Sequence, residues 1–207
     1  MEKLFHEDNI IIIFLGNLFN LMLLNVLTLL CCLPVITIGA SLTAMHHVLI
    51  TGIEEKNGDV IKPFFRAFMQ NFMQSTILWM TLLGILSVMG SLFFLCFGKT
   101  ELMYQAVCVG AILIMLLSLM VFLYILPLQA RYQNTIRQTV QNAAAIALSH
   151  IPQSFAMLAI LIVCGKLYTS FGVNVLAFIF LFGLTIPGWL FMKLYVPVLY
   201  SLPEKES

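Results

Sequence analysis

The sequence predicts an all-α fold, a polytopic transmembrane helical bundle of about six membrane-embedded segments with two interfacial cytoplasmic helices, forming a single integral membrane domain over residues 1–207. Three observations predict it. Hydrophobic residues make up 61% of the 207 and charged residues only 9%, with a mean hydropathy of +1.04, whereas soluble domains are about 25% charged. The apolar residues gather in runs near the ~20-residue length that crosses a bilayer core as a helix. The nine acids, at 2, 7, 8, 54, 55, 59, 101, 204 and 206, all fall outside those runs. Charge this sparse cannot coat a soluble protein of this length.

The first run is Ile10 to Leu33. The preceding MEKLFHEDN holds three acids and one lysine, unlike a secretory leader, so this run is expected to stay as a span. Its polar members Asn17, Asn20, Asn25 and Thr28 fall on one side of a helix, which should face protein because amides are costly against lipid. Pro34 lacks an N–H and should end or kink that helix. The second segment, Val35 to Ile53, is apolar but studded with Thr37, Gly39, Ala40, Ser41, Thr43 and Ala44. Small residues let helix backbones approach and hydroxyls bond neighbouring carbonyls. The segment reads as a short, tightly packed span, making six in all. Five spans plus a re-entrant segment is the alternative.

Residues 54–62, EEKNGDVIK, form a polar loop. In the following KPFFRAFMQNFMQ, Lys62, Arg66, Gln70 and Gln74 recur every four residues, with Phe64, Phe65, Phe68 and Phe72 turned away, the pattern of an interfacial helix. Spans are expected at Ile77–Phe97 and Tyr104–Leu126. Beyond Pro127 a second amphipathic helix places Tyr132, Ile136, Val140 and Ala144 on one face and Gln133, Arg137 and Gln141 on the next. Residues 154–172 and 173 to about 196 supply the last two runs. Both amphipathic stretches carry Arg-x-x-x-Gln-Asn, at 66–71 and 137–142, followed by Gln-Ser at 74–75 and 153–154. The echo reads as a possible internal repeat of helix-plus-hairpin units at about 62–127 and 131–200. Lys3, Lys56, Lys62, Arg66, Arg131, Arg137 and Lys205 collect on one side and Lys99 and Lys166 on the other. The positive-inside rule then puts both termini in the cytoplasm of a multi-pass cell-membrane protein.

The same residues limit the chemistry. No carboxylate lies at membrane depth, which weighs against proton- or sodium-coupled transport through a buried acid. The cysteines at 31, 32, 96, 108 and 164 make no CxxC and read as small hydrophobes. His46 and His47 are ~100° apart on a helix and cannot easily share one metal. With no nucleophile motif, phosphate loop, metal signature or basic patch, the reading is non-enzymatic, without cofactor and without nucleic acid.

The stretch NLFNLMLLNVLTLLCCLPVITIGASLTAMHHVL, with its Asn-rich helix running into LPVITIGA, and the later FFRAFMQNFMQST, resemble the YesL family of bacterial integral membrane proteins of unknown function. Members of that family carry aromatics where this chain has His46 and His47. The resemblance implies no defined activity and an occurrence beside carbohydrate-uptake systems. On that basis the expected role is an accessory or partner of a carbohydrate ABC importer, with membrane lipid and importer components as partners. Arg66, Asn71, Arg137 and Asn142 are the candidate docking residues. The alternative is a small-solute transporter or channel. In both readings Asn17, Asn20, Pro34, Thr37, Gly39, Ser41 and Thr43 form a surface, packed against helices in the first and lining a polar path in the second.

Overall fold

The computed structural model describes residues 10–54, 59–132, 134–171 and 176–200. Among them are eight α-helices and no strand: α1 (Ile10–Cys32), α2 (Ile38–Glu54), α3 (Ile61–Cys96), α4 (Leu102–Arg131), α5 (Ile136–Ser149), α6 (Ile151–Phe171), α7 (Leu176–Phe182) and α8 (Thr185–Tyr200). A short 3-10 turn, Val35–Thr37, joins α1 to α2. Among the described residues six stretches are long and apolar enough to cross a membrane: Leu15–Cys32, Val35–Gly52, Ile61–Cys96, Leu102–Arg131, Ile151–Ser170 and Ile179–Leu199. The all-α polytopic bundle is what the composition predicts. The termini, with Lys3 and Lys205, and the loop residue Lys56 lie outside the described residues, as does Gln133.

Two boundaries differ from the sequence reading. The amphipathic stretch 62–74 is not a separate interfacial helix but the first part of the 36-residue α3. No glycine or proline separates it from the apolar run, and both halves share the same helical period, so the backbone has no reason to break. Nor does α4 stop at Leu126. It passes through Pro127 to Arg131. By contrast α5 is a separate 14-residue helix, started by a capping box in which Thr135 accepts from Gln138 N and the Gln138 side chain accepts from Thr135 N. It ends at His150, and Pro152 fits the first turn of α6, where no intrahelical donor is needed. Tyr132 falls before α5, whose buried face is Thr139, Ala143, Ile146 and Ala147.

α3 and α4 form an antiparallel hairpin. Its rungs are Phe93 O with Cys108 Sγ, Trp79 with Phe122 (ring centroids 5.6 Å apart), and Ser75 with Gln129. The core lies at one end of this hairpin. Residues 122–130 are buried all around α4, enclosed with the first half of α3, α2 and α8, whereas between residues 83 and 119 the hairpin buries only Ala111. α2 runs antiparallel to α3, with Gly39 against Ser75 and Trp79. Trp79 is at the middle of α3, so α2 covers only the first half of that helix. The turn at Leu33–Thr37 therefore sits beside the middle of α3; a re-entrant α2 keeps this turn within the membrane, whereas a spanning α2 brings it to the surface. A cysteine introduced at Ile36, which is exposed on this turn, should resist impermeant maleimide from both membrane faces, whereas Glu101→Cys should label from one. Efficient labelling of Ile36→Cys from the face opposite Glu54 would show that α2 crosses.

Candidate functional site

The LPVITIGA turn is built around a backbone break. Pro34 is extended (φ −75°, ψ 122°) and cannot donate, so the last carbonyls of α1 lose their helical partners. Thr37 replaces them: its hydroxyl lies 2.6 Å from Cys31 O and 2.8 Å from Pro34 O. Trp79 Nε1 donates to Val35 O at 2.8 Å. The hydroxyl and the indole thus satisfy carbonyls that lipid could not. Gly39 brings α2 onto α3: a Cβ there would lie 2.5 Å from Ser75 O and 2.7 Å from Trp79 Cβ. Ser41 donates to Thr37 O at 2.9 Å.

Below this turn lies a buried polar chain. Thr43 contacts Gly39 O at 2.9 Å and Ser75 Oγ at 3.0 Å, and Ser75 donates to Gln129 Oε1 at 2.9 Å. It ties α2, α3 and α4 together. Gln129 Nε2 is buried with no hydrogen-bond partner among the described residues, a demand of about 1–3 kcal/mol. The two histidines diverge. His46 Nδ1 is 2.9 Å from Tyr195 Oη on α8, and His47 donates from Nδ1 to Ala130 O on α4 at 2.8 Å. A hollow of about 170 Å³ opens beside His47, Ile50, Thr51, Ala130 and Arg131.

A second break separates α7 from α8, and one side chain from α1 spans it. Asn25 donates from Nδ2 to Ile179 O (3.1 Å) and Phe180 O (2.7 Å), and its Oδ1 accepts from Leu184 N (2.8 Å) and Thr185 N (3.1 Å). Tyr168 Oη donates to Gly183 O at 2.6 Å. Asn25 thus serves the end of one helix and the start of the next. Thr28, also fully buried, donates back to Leu24 O.

The sequence-predicted residues do not all meet. Thr37, Gly39, Ser41 and Thr43 join in the α2–α3 contact, with Pro34 at its mouth. Asn20 is half-buried, and Asn17 is exposed rather than facing protein, because residues 15–19 lie beyond the helices that cover residues 20–29 of α1. Arg66, Arg137 and Asn142 are exposed, while the half-buried Asn71 donates to Ala67 O on its own helix at 3.0 Å. Ser75, Trp79, Gln129, Tyr168 and Tyr195 escaped sequence reasoning, and Asn25 was one asparagine among three. Asn25 and Tyr195 are isolated hydrogen-bonding side chains within largely apolar runs, whereas Ser75, Gln129 and Tyr168 stand beside other polar residues and nothing in the sequence singles them out.

Residues 21–91 match the family described as Protein of unknown function, DUF624. A DUF624 domain is found there. It holds the second half of α1, all of α2 and most of α3, and so Asn25, Thr37, Gly39, Thr43, Ser75 and Trp79, whereas Gln129, Tyr168 and Tyr195 lie beyond it. No curated protein and no solved structure matches the chain.

Gly39 gives the sharpest test of the turn. Gly39→Ala should destabilise the protein by about 1–3 kcal/mol, because the atoms in the way are backbone and Cβ. Gly84→Ala on α3, with open space around it, should be neutral or slightly stabilising. Thermal unfolding in mild detergent reads both, and a Gly39→Ala protein melting with the wild type would refute the close approach.

Proposed function

We propose that this membrane protein is a non-enzymatic accessory that assembles with, or assists, an ATP-driven carbohydrate importer. The observation that carries the reading is the fate of the polar groups in the LPVITIGA region. Thr37, Ser41 and Thr43 spend their hydrogen bonds on this chain's own backbone and on Ser75, so they serve helix packing, not a polar path. The carbohydrate-uptake context comes from the resemblance to the YesL family, with which the DUF624 match is consistent.

The docking surface in this reading is α5. Its capped start gives a rigid short helix, its apolar face is seated on the bundle, and Arg137, Gln138, Gln141 and Asn142 are exposed on the other. Arg137 offers a planar fork suited to a partner carboxylate. Arg66 stands apart on α3, and the Asn71 amide is engaged within α3, so α5 carries the greater share.

Arg137→Ala combined with Asn142→Ala should leave expression and melting temperature unchanged. Recovery of importer subunits in a mild-detergent pull-down, quantified by mass spectrometry, should fall at least about fivefold, the loss of ~1 kcal/mol or more that follows when a charge-assisted contact is removed. Undiminished recovery would return α5 to a solvated face. If the wild type recovers no importer subunit, the accessory role itself fails.

A further inference from the structure

We propose that the outward face of α3 from Ile61 to Met73 is a binding surface for anionic lipid headgroups, with Lys62 and Arg66 at the phosphates, Phe65 level with them, and Met69 and Met73 on the acyl side. The inference rests on the chain being a multi-pass membrane protein and is independent of the importer reading.

Length supplies the first argument. At ~1.5 Å per residue, the 36 residues of α3 extend ~54 Å, well beyond the ~30 Å hydrocarbon core but close to the ~40–45 Å bilayer with its headgroups. Measured back from Cys96, Arg66 lies ~45 Å along the axis. Just past Cys96, Lys99 Nζ sits 4.2 Å from the centre of the Tyr104 ring, a cation and aromatic of the kind that anchors a helix end at a membrane interface. With that end in one headgroup layer, Lys62 and Arg66 reach the other.

The character of the face supplies the second. Phe65, Met69, Met73, Ile77, Met80 and Val88 are all exposed, Met69 at 71% and Met73 at 70%, and they continue without interruption onto the part of α3 that the bundle leaves bare. Thr81 and Ser91 on the same helix bond back to Ile77 O and Ser87 O, so neither demands water. This apolar surface ends among basic residues. α3 contains no acid, and Lys62, its side chain 85% exposed, has Asp59 as an ionic neighbour at 3.8 Å. Long side chains of this kind extend their charge to the headgroups while their stems cover apolar surface. A basic pair beside an apolar stripe favours negatively charged lipid over zwitterionic lipid.

The test uses the full chain reconstituted in phosphatidylcholine vesicles, with trace spin-labelled phosphatidylglycerol or spin-labelled phosphatidylcholine. Electron spin resonance reads the lipid held at the protein surface. The wild type should hold phosphatidylglycerol in preference to phosphatidylcholine, the more so at low salt. Lys62→Gln with Arg66→Gln should cut that preference about twofold to fivefold, Asp59→Asn should raise it, and Lys99→Gln should leave it in place. Unchanged melting of each variant in detergent separates lipid binding from folding. No preference in the wild type, or a preference that survives the double substitution, overturns the proposal, as does one that depends equally on Lys99.

Discussion

Every backbone N–H and C=O that a helix releases inside a bilayer must find a partner within the protein, because lipid offers none. Among the described residues two helix breaks fall within apolar segments, between α1 and α2 and between α7 and α8. The first break is closed by Thr37 and Trp79, the second by Asn25 and Tyr168. Each break is closed by one side chain close in sequence and one distant from it: Thr37 lies in its own turn while Trp79 is 44 residues from Val35, and Tyr168 is 15 residues from Gly183 while Asn25 is 155 residues from Phe180. The breaks are thus cross-links as well as interruptions.

Packing follows from these closures. With Trp79 held at Val35 O, α2 must lie against α3 from Ser75 outward, and Gly39 is the residue that allows it. That contact brings Thr43 to Ser75 and Gln129, which adds α4, while His46 and His47 connect α2 to α8 and α4. The core consequently lies at the α2 end of the α3–α4 hairpin. The other end, beyond the reach of α2, is left with one buried residue, Ala111, on a broad apolar surface. In a bilayer such a surface needs no protein to cover it.

The fold class and the positions of the apolar runs were legible because they depend on length and local composition. So was the turn at Pro34, where the covalent restriction on proline acts locally. What the sequence could not show was which polar residues meet. Asn17 and Asn25 look equivalent on a helical wheel, yet only Asn25 has a helix break opposite it, and that partner is 154–160 residues away. Amphipathic spacing also cannot say where a helix ends. The face of Lys62 and Arg66 runs in phase with the apolar run that follows, so one helix accommodates both, whereas Thr135 and Pro152 mark the real ends of α5 because capping and proline act on the backbone itself.

Asn25 offers the most direct test of side-chain closure, since one residue serves four backbone groups. Thermal unfolding in mild detergent should be compared for Asn25→Leu and Asn17→Leu. With Asn25 replaced, the amides of Leu184 and Thr185 and the carbonyl of Phe180 lose their side-chain partner inside the bundle, at about 1–3 kcal/mol per buried group. Asn25→Leu should therefore lower the melting temperature sharply, while Asn17→Leu, on an exposed stretch of α1, should leave it nearly unchanged. Equal melting of the two variants would contradict the account.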